Sequence, residues 1–305
     1  MTDTPTSRDW GGVISLGLIW GATFMVVSIA LEGYGPVTVA TARTTLGAVA
    51  LLCVMAASGR SLPRPDGRLW AYIALIGLLS TALPFVLLSW GQQYVPSAFA
   101  GLSMAAIPLM VLPLAHFFSD EPLNLRKFIG VSLGFSGALM LIGPGLAQLG
   151  RGAEPLAQLA CIAAALCYSV ASVFTRRCPP VDPVTLAALT LVVGSVTLLP
   201  IMLITEGVPG WAGPRSGWAI IVLGLVPTAL ATLLRVSIIR SAGSVFMTLV
   251  NYQVPIWSMV FGAWVLSEAL PLRFFIALAM ILTGLAISQW VSLSKMLRGG
   301  RASAR

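Results

Sequence analysis

Apolar residues in this chain fall in long unbroken stretches, not in alternation. Ten such runs stand out, roughly 11–31, 36–57, 69–90, 97–118, 128–146, 155–175, 184–204, 217–239, 244–267 and 274–294. A helix needs about 20 apolar residues to cross the hydrocarbon core of a bilayer. A membrane barrel would instead show alternating segments of about ten residues. In lipid the backbone must satisfy its own hydrogen bonds, which continuous helices do. The pattern therefore predicts an all-α integral membrane protein with ten transmembrane helices.

The pattern also repeats. Adding 147 to Ser97, Phe99, Pro108, Glu121, Arg126 and Gly137 gives Ser244, Phe246, Pro255, Glu268, Arg273 and Gly284. The same shift carries Thr81-Ala82-Leu83 onto Thr228-Ala229-Leu230, and Pro36-Val37-Thr38 onto Pro183-Val184-Thr185. An internal repeat on this scale governs any reading of the fold. The expected organisation is one unit over 11–146 (spans one to five), a second over 155–294 (spans six to ten), and short tails at 1–10 and 295–305.

Composition agrees with lipid as the main solvent. The chain is 57% hydrophobic and 9% charged, with mean hydropathy +0.93. Soluble domains carry roughly 25% charged residues. The net charge of +8 is scattered between apolar runs, so it predicts topology, not a nucleic-acid partner. With the N-terminus cytoplasmic, the cytoplasmic links and tails hold Arg8, Arg60, Arg64, Arg68, Arg126, Lys127, Arg176, Arg177, Arg240, Lys295, Arg298, Arg301 and Arg305. The opposite side holds only Arg151, Arg215 and Arg273. This bias predicts both termini inside. The apolar run after the polar first nine residues is too long for a signal-peptide core, so a retained first span is expected. Five spans per unit is an odd number, so the second unit enters the membrane in the opposite sense. Inverted repeats of this kind place a substrate site near the midplane between the units.

Several residues could line such a site. Pro108 and Pro255 are repeat mates in spans four and nine, and each leaves the carbonyl four residues earlier, Met104 or Asn251, without its donor. Thr248, Asn251, Tyr252 and Pro255 share one helical face, while Gln253 points toward a neighbouring helix. The equivalent first-unit face (Gly101, Met104, Ala105, Pro108) is small and apolar, so a polar wall would face a greasy one, as suits an amphipathic solute. Trp20 and Phe24 lie one turn apart near the middle of span one. Trp10, Trp70, Trp218 and Trp290 sit near span ends, where aromatic belts form. Arg43, about 10 Å into span two at 1.5 Å per residue, either attracts an anion or clamps neighbouring carbonyls. Arg235 lies close to a span end and is expected to snorkel. His116 either carries protons or packs.

No Asp or Glu lies mid-span. Glu121 and Glu268 each precede a helix, where a carboxylate favours the N-terminal dipole. Gly130, Gly134 and Gly137 in span five, with Ala277 and Gly284 in span ten, offer either a homodimer face or close packing within one chain. Cys53, Cys161, Cys167 and Cys178 form no CxxC pair, so neither a metal site nor a disulfide framework is expected.

The five-plus-five layout, Trp20-Gly21-Ala22-Thr23-Phe24 in span one, Ala42-Arg43 in span two, and Pro-then-Glu in spans four and nine resemble EamA-type members of the drug/metabolite transporter superfamily. The resemblance covers about 11–294. It implies a bacterial inner-membrane exporter of amino acids or other small metabolites, with a cavity lined by spans one to four and six to nine. It brings no cofactor and no catalytic residue. Two positions depart from the repeat: Cys167 stands where Trp20 would recur, with Tyr168 beside it, and Thr190 where Arg43 would. The expected pathway is Trp20, Phe24, Arg43, Met104, Pro108, Tyr168, Thr248, Asn251, Tyr252 and Pro255, in a facilitator or exchanger working by alternating access on a small-molecule substrate. The alternatives are a proton antiporter, a membrane sensor or scaffold that binds without flux, and a membrane-embedded enzyme.

Overall fold

A computed structural model describes residues 6–119, 124–146, 150, 152–290 and 294. All regular structure among them is helical. The chain runs through α1 (Ser7–Leu31), α2 (Pro36–Ala57), α3 (Gly67–Gly77), α4 (Leu83–Gly91), α5 (Ser97–Ser103), α6 (Ile107–Ser119) and α7 (Leu125–Leu146). It continues through α8 (Glu154–Arg177), α9 (Pro183–Thr205), α10 (Pro214–Gly224), α11 (Ala231–Met247), α12 (Val250–Val265) and α13 (Leu272–Ser288). Among the described residues, eight stretches are long and apolar enough to cross a membrane. They are Ser7–Leu31, Pro36–Ala57, Gly67–Gly91, Ser97–Phe117, Leu125–Gly143, Glu154–Arg177, Pro183–Thr205 and Pro214–Gly243. Leu272–Ser288 is a shorter apolar helix.

The helix starts show how local chemistry sets the boundaries. The first helix begins inside the expected polar tail. Thr6 caps it, and the Asp9 carboxylate accepts from both the Thr6 N–H (2.8 Å) and hydroxyl (2.7 Å). This reciprocal capping box makes the polar residues the first turn of the helix. At α9, Asp182 accepts from the Val184 and Thr185 N–H groups, and Pro183 supplies a preset φ at the first position. The starts of α2 and α5 have no cap of their own. Their N–H groups go to distant carboxylates instead. Glu206 accepts from Val37 and Thr38 at 3.0 and 2.8 Å. Glu268 accepts from Ser97 and Ala98 at 2.7 and 3.0 Å. The expectation that Glu268 serves the helix it precedes is thereby corrected. The carboxylate does meet a helix N-terminus, but that of α5. Glu121, Asp120, Arg151 and the tails at 1–5 and 295–305 lie outside the described residues.

Two stretches widen into π turns, Leu78–Ala82 between α3 and α4 and Leu225–Leu230 between α10 and α11. Proline underlies both. Pro84 cannot donate to the Ser80 carbonyl, nor Pro227 to that of Leu223. The Thr228 hydroxyl takes over at Leu223 (2.8 Å), and Thr81 bonds the Gly77 carbonyl (2.6 Å). A third break separates α5 from α6, where Met104–Ala106 tightens to a 3₁₀ turn just before Pro108. The link expected between the eighth and ninth runs shrinks to Gly243, whose φ of 87° interrupts α11. α12 then begins only at Val250, so the ninth run is not one continuous helix.

Packing follows a reciprocal scheme. α2 packs along α9, α7 along α13 and α5 on α12. α1 meets α12 and α11, while α8 meets α6 and α4. α2 and α9 run antiparallel. Glu206 beyond the end of α9 reaches the start of α2, and Arg60 beyond the end of α2 pairs with Asp182 at the start of α9 (3.4 Å). Glycines on these two helices also let each approach a π turn closely. A Cβ on Gly47 would lie 2.7 Å from the Thr228 methyl, and one on Gly194 would collide with the Thr81 hydroxyl. The glycines of α7 are used within the chain: a Cβ on Gly130 would meet the Gly284 carbonyl and Ser288 of α13. That stripe therefore packs against α13 within the chain.

Candidate functional site

Two of the expected pathway residues bond the second π turn, and a third packs near them. The indole N–H of Trp20 donates to the Pro227 carbonyl at 3.2 Å. Arg43 donates through Nε to the Thr228 hydroxyl at 3.0 Å. Its guanidinium carbon sits 3.8 Å above the centre of the Phe85 ring, close enough for a cation–π contact. Tyr168 packs against the same apolar cluster as Phe85 and feels the Arg43 charge. Helices α1 and α2 thus each bring one side chain to the turn between α10 and α11, and α4 adds Phe85 beneath Arg43.

The state of Arg43 decides what this arrangement can do. Among the described residues it has no carboxylate partner. Thr228 occupies its Nε and Phe85 covers one face, while neither terminal nitrogen has an acceptor among the described residues. Planar guanidinium groups bind carboxylate or phosphate through two parallel bonds. Here the orientation is fixed beforehand by the stacking and the Nε bond. The opposite half has Thr190 at the matching place, buried, its carbonyl taken by Thr81 at 3.2 Å. The charge is therefore one-sided.

The remaining expected residues are placed differently. Phe24 is 7% exposed and lies against Gly101, at the meeting of α1, α5 and α12. Met104 is also buried, and Pro255 is enclosed within α12, whereas Pro108 is half-buried. Phe24, Met104 and Pro255 thus sit in packed core. Thr248, Asn251 and Tyr252 are half-buried at the start of α12. The Tyr252 hydroxyl is buried without a partner among the described residues. Tyr252, Trp20 and Tyr168 border one central cluster, but no described hydrogen bond or ring contact joins Asn251 or Tyr252 to Arg43. Gln253 turns away as its spacing predicts and packs on Gly17 of α1. His116 is exposed and edge-on to Phe117. Arg235 is exposed too.

Phe85, Pro227 and Thr228 are the parts that sequence reasoning passes over. Thr228 was visible only as half of the Thr-Ala-Leu repeat. Among the described residues, no group of three or more His, Cys, Asp or Glu could hold a metal ion.

Comparison with known proteins places this geometry. The profile of the EamA-like transporter family matches residues 11–143 and again 155–290. The chain belongs to that family. As an EamA-like protein it is a transporter, and its two matched segments follow the internal repeat. It is 25% identical over 277 residues to the uncharacterized transporter YoaV of Bacillus subtilis (strain 168), covering 90% of this chain and 94% of the relative. It is 26% identical over 290 residues to the uncharacterized inner membrane transporter YedA of Escherichia coli (strain K12), covering 94% and 92%. A probable terminal-alkyne amino-acid exporter of Streptantibioticus cattleyicolor is 28% identical over 247 residues, covering 78% and 80%. A solved crystal structure superposes with a TM-score of 0.68 at 21% identity, covering 94% of this EamA-like chain and 99% of its own. At that identity the likeness speaks for the fold.

Proposed function

We propose that this transporter exports a small amphipathic metabolite bearing a carboxylate, such as an amino acid, across a bacterial inner membrane. The reading takes the chain as ten spans in two five-span halves of opposite sense, 11–146 and 155–294, with both termini cytoplasmic. The antiparallel pairing of α2 with α9, the π turns 147 residues apart, and contacts that recur with partners exchanged all support it. Names of relatives support the class: one is an inner membrane transporter and another a probable amino-acid exporter.

The observation that carries the proposal is Arg43, stacked on Phe85 and fixed by Thr228 with its terminal nitrogens open. An unpaired charge inside a membrane bundle is costly and marks a functional site by default. The carboxylate would dock on Arg43, and Trp20 and Tyr168 would flank the apolar part. Asn251 and Tyr252 would present the polar wall as the halves exchange access. With no acidic residue mid-span, facilitated diffusion or exchange is favoured over proton antiport.

Flux from proteoliposomes tests this. Vesicles holding the purified chain are loaded with a labelled amino-acid pool, and release is followed with and without a pH gradient. Release that exceeds protein-free vesicles, ignores the gradient and is lost in Arg43→Gln supports the proposal. Release that tracks the gradient overturns the coupling claim. Specific binding without release would turn the reading to a sensor.

A further inference from the structure

A pocket of ≈520 Å³ opens at the end of the bundle where α2 finishes and α9 begins. Its lining includes the polar Arg60, Arg240, Ser58 and Ser237 and the apolar Val54 and Val236. No step of the transport reading uses it. Both arginines share one carboxylate, that of Asp182: Arg60 through Nε at 3.4 Å and Arg240 through Nη2 at 3.2 Å. Asp182 is at the same time committed to the Val184 and Thr185 N–H groups. Both terminal nitrogens of Arg60, and Nε and Nη1 of Arg240, are left without a protein acceptor among the described residues. Asp9 stands nearby, bonded to the Ser241 hydroxyl and beside Arg8. The local charges are thus Arg8, Arg60 and Arg240 against Asp9 and Asp182, an excess of one cation.

We propose that this pocket binds the phosphate group of an anionic glycerophospholipid, with Arg60 and Arg240 on the phosphate oxygens and an acyl chain along Val54 and Val236. Two guanidinium groups held about one carboxylate give a fixed fork for phosphate. Serine hydroxyls add neutral donors, as a diester with few protons of its own requires. A lining that joins apolar and charged side chains matches an amphipathic ligand better than a bare ion. Basic pockets between helices at a membrane surface recognise acidic headgroups in this way. Free inorganic phosphate shares the headgroup chemistry, and the two sources are separable by experiment.

The test is native mass spectrometry of the purified full-length chain in detergent with added phosphatidylglycerol or phosphatidylcholine, beside thermal unfolding in phosphate or chloride of equal ionic strength. Preferential phosphatidylglycerol adducts, weakened about fivefold in Arg240→Gln and kept in Arg215→Gln at the opposite end, support the site. Ser237→Phe fills the pocket while leaving every charge in place and should weaken the adduct as well. Equal retention of the two lipids with no protection by phosphate, or full retention of phosphatidylglycerol by both Arg240→Gln and Ser237→Phe, overturns it. Protection by inorganic phosphate that both variants lose, without lipid preference, keeps the site and names free phosphate as its ligand. Neither result depends on flux, so a failed transport assay leaves this inference standing.

Discussion

Replacing Glu268 by alanine should destabilise the fold far more than its position in a loop suggests. The carboxylate receives the Ser97 and Ala98 N–H groups at 2.7 and 3.0 Å, and α5 has no other cap. Hydrogen bonds to charged groups contribute about 1.5–3 kcal/mol each when well buried. Glu268 is half-buried, so water replaces part of what is lost and about 1 kcal/mol per bond is reasonable. Alanine should then cost about 2 kcal/mol, and glutamine, which keeps one oxygen, about 1 kcal/mol. A Cβ on Gly262 would strike the Glu268 carboxylate, so Gly262→Ala should reproduce the defect while the carboxylate remains. Glu32→Ala is the control. It breaks the Arg215 pair, whose side chains are 66% and 46% exposed, and such pairs contribute about 0–1 kcal/mol. Denaturant titration of the purified protein in detergent, followed by tryptophan fluorescence, measures all four. If Glu268→Ala matches wild type within about 0.5 kcal/mol, the capping argument is wrong.

Gly47→Ala should cost about 1–3 kcal/mol through overpacking against the Thr228 methyl. Thr228→Ser, which removes that methyl and keeps the hydroxyl for Arg43, should recover much of the loss in a double-mutant cycle. Arg43→Lys should retain less than about a tenth of wild-type flux, since lysine keeps the charge but loses the fork and the stack on Phe85; full activity would show that charge alone suffices. For Asp182, burial works to raise the pKa. The N–H groups of Thr185 and Val184, with Arg60 and Arg240, outweigh it, so the carboxyl titrates below its ordinary 3.8. Its stabilisation is complete above that value and is lost as pH falls through the lowered one. Asp182→Asn should therefore flatten the acid limb of the stability–pH curve below about pH 4 and leave the neutral range little changed in slope.

How much of this was legible in the chain depended on distance. Apolar run length revealed most spans, because a helix in lipid hides its backbone within itself. The Pro108 break was readable for the same reason: a missing N–H is a local fact. Thr6-x-x-Asp9 was equally local, yet its polarity suggested a tail when it was a cap. Arg43 announced itself as a charge in an apolar run. Its partners did not, since Phe85 and Thr228 look like ordinary residues and Thr228 lies 185 positions away. Glu268 failed in the same manner: the adjacent helix was an obvious client, and the actual one begins 171 residues earlier. The glycines of α7 showed that something packs closely, but not that α13 does.

The borrowed caps also bear on how the chain is made. The start of α2 receives its carboxylate from a residue 169 positions later, and the start of α5 from one 171 positions later. At about 5–20 residues per second, each helix waits on the order of ten to thirty seconds for its cap to leave the ribosome. In that interval the bare N–H groups must stay in water or in the insertion machinery, so these helix ends cannot settle into the lipid early. A first half synthesised alone would keep both ends open, and a second half supplied separately would carry the two carboxylates that close them.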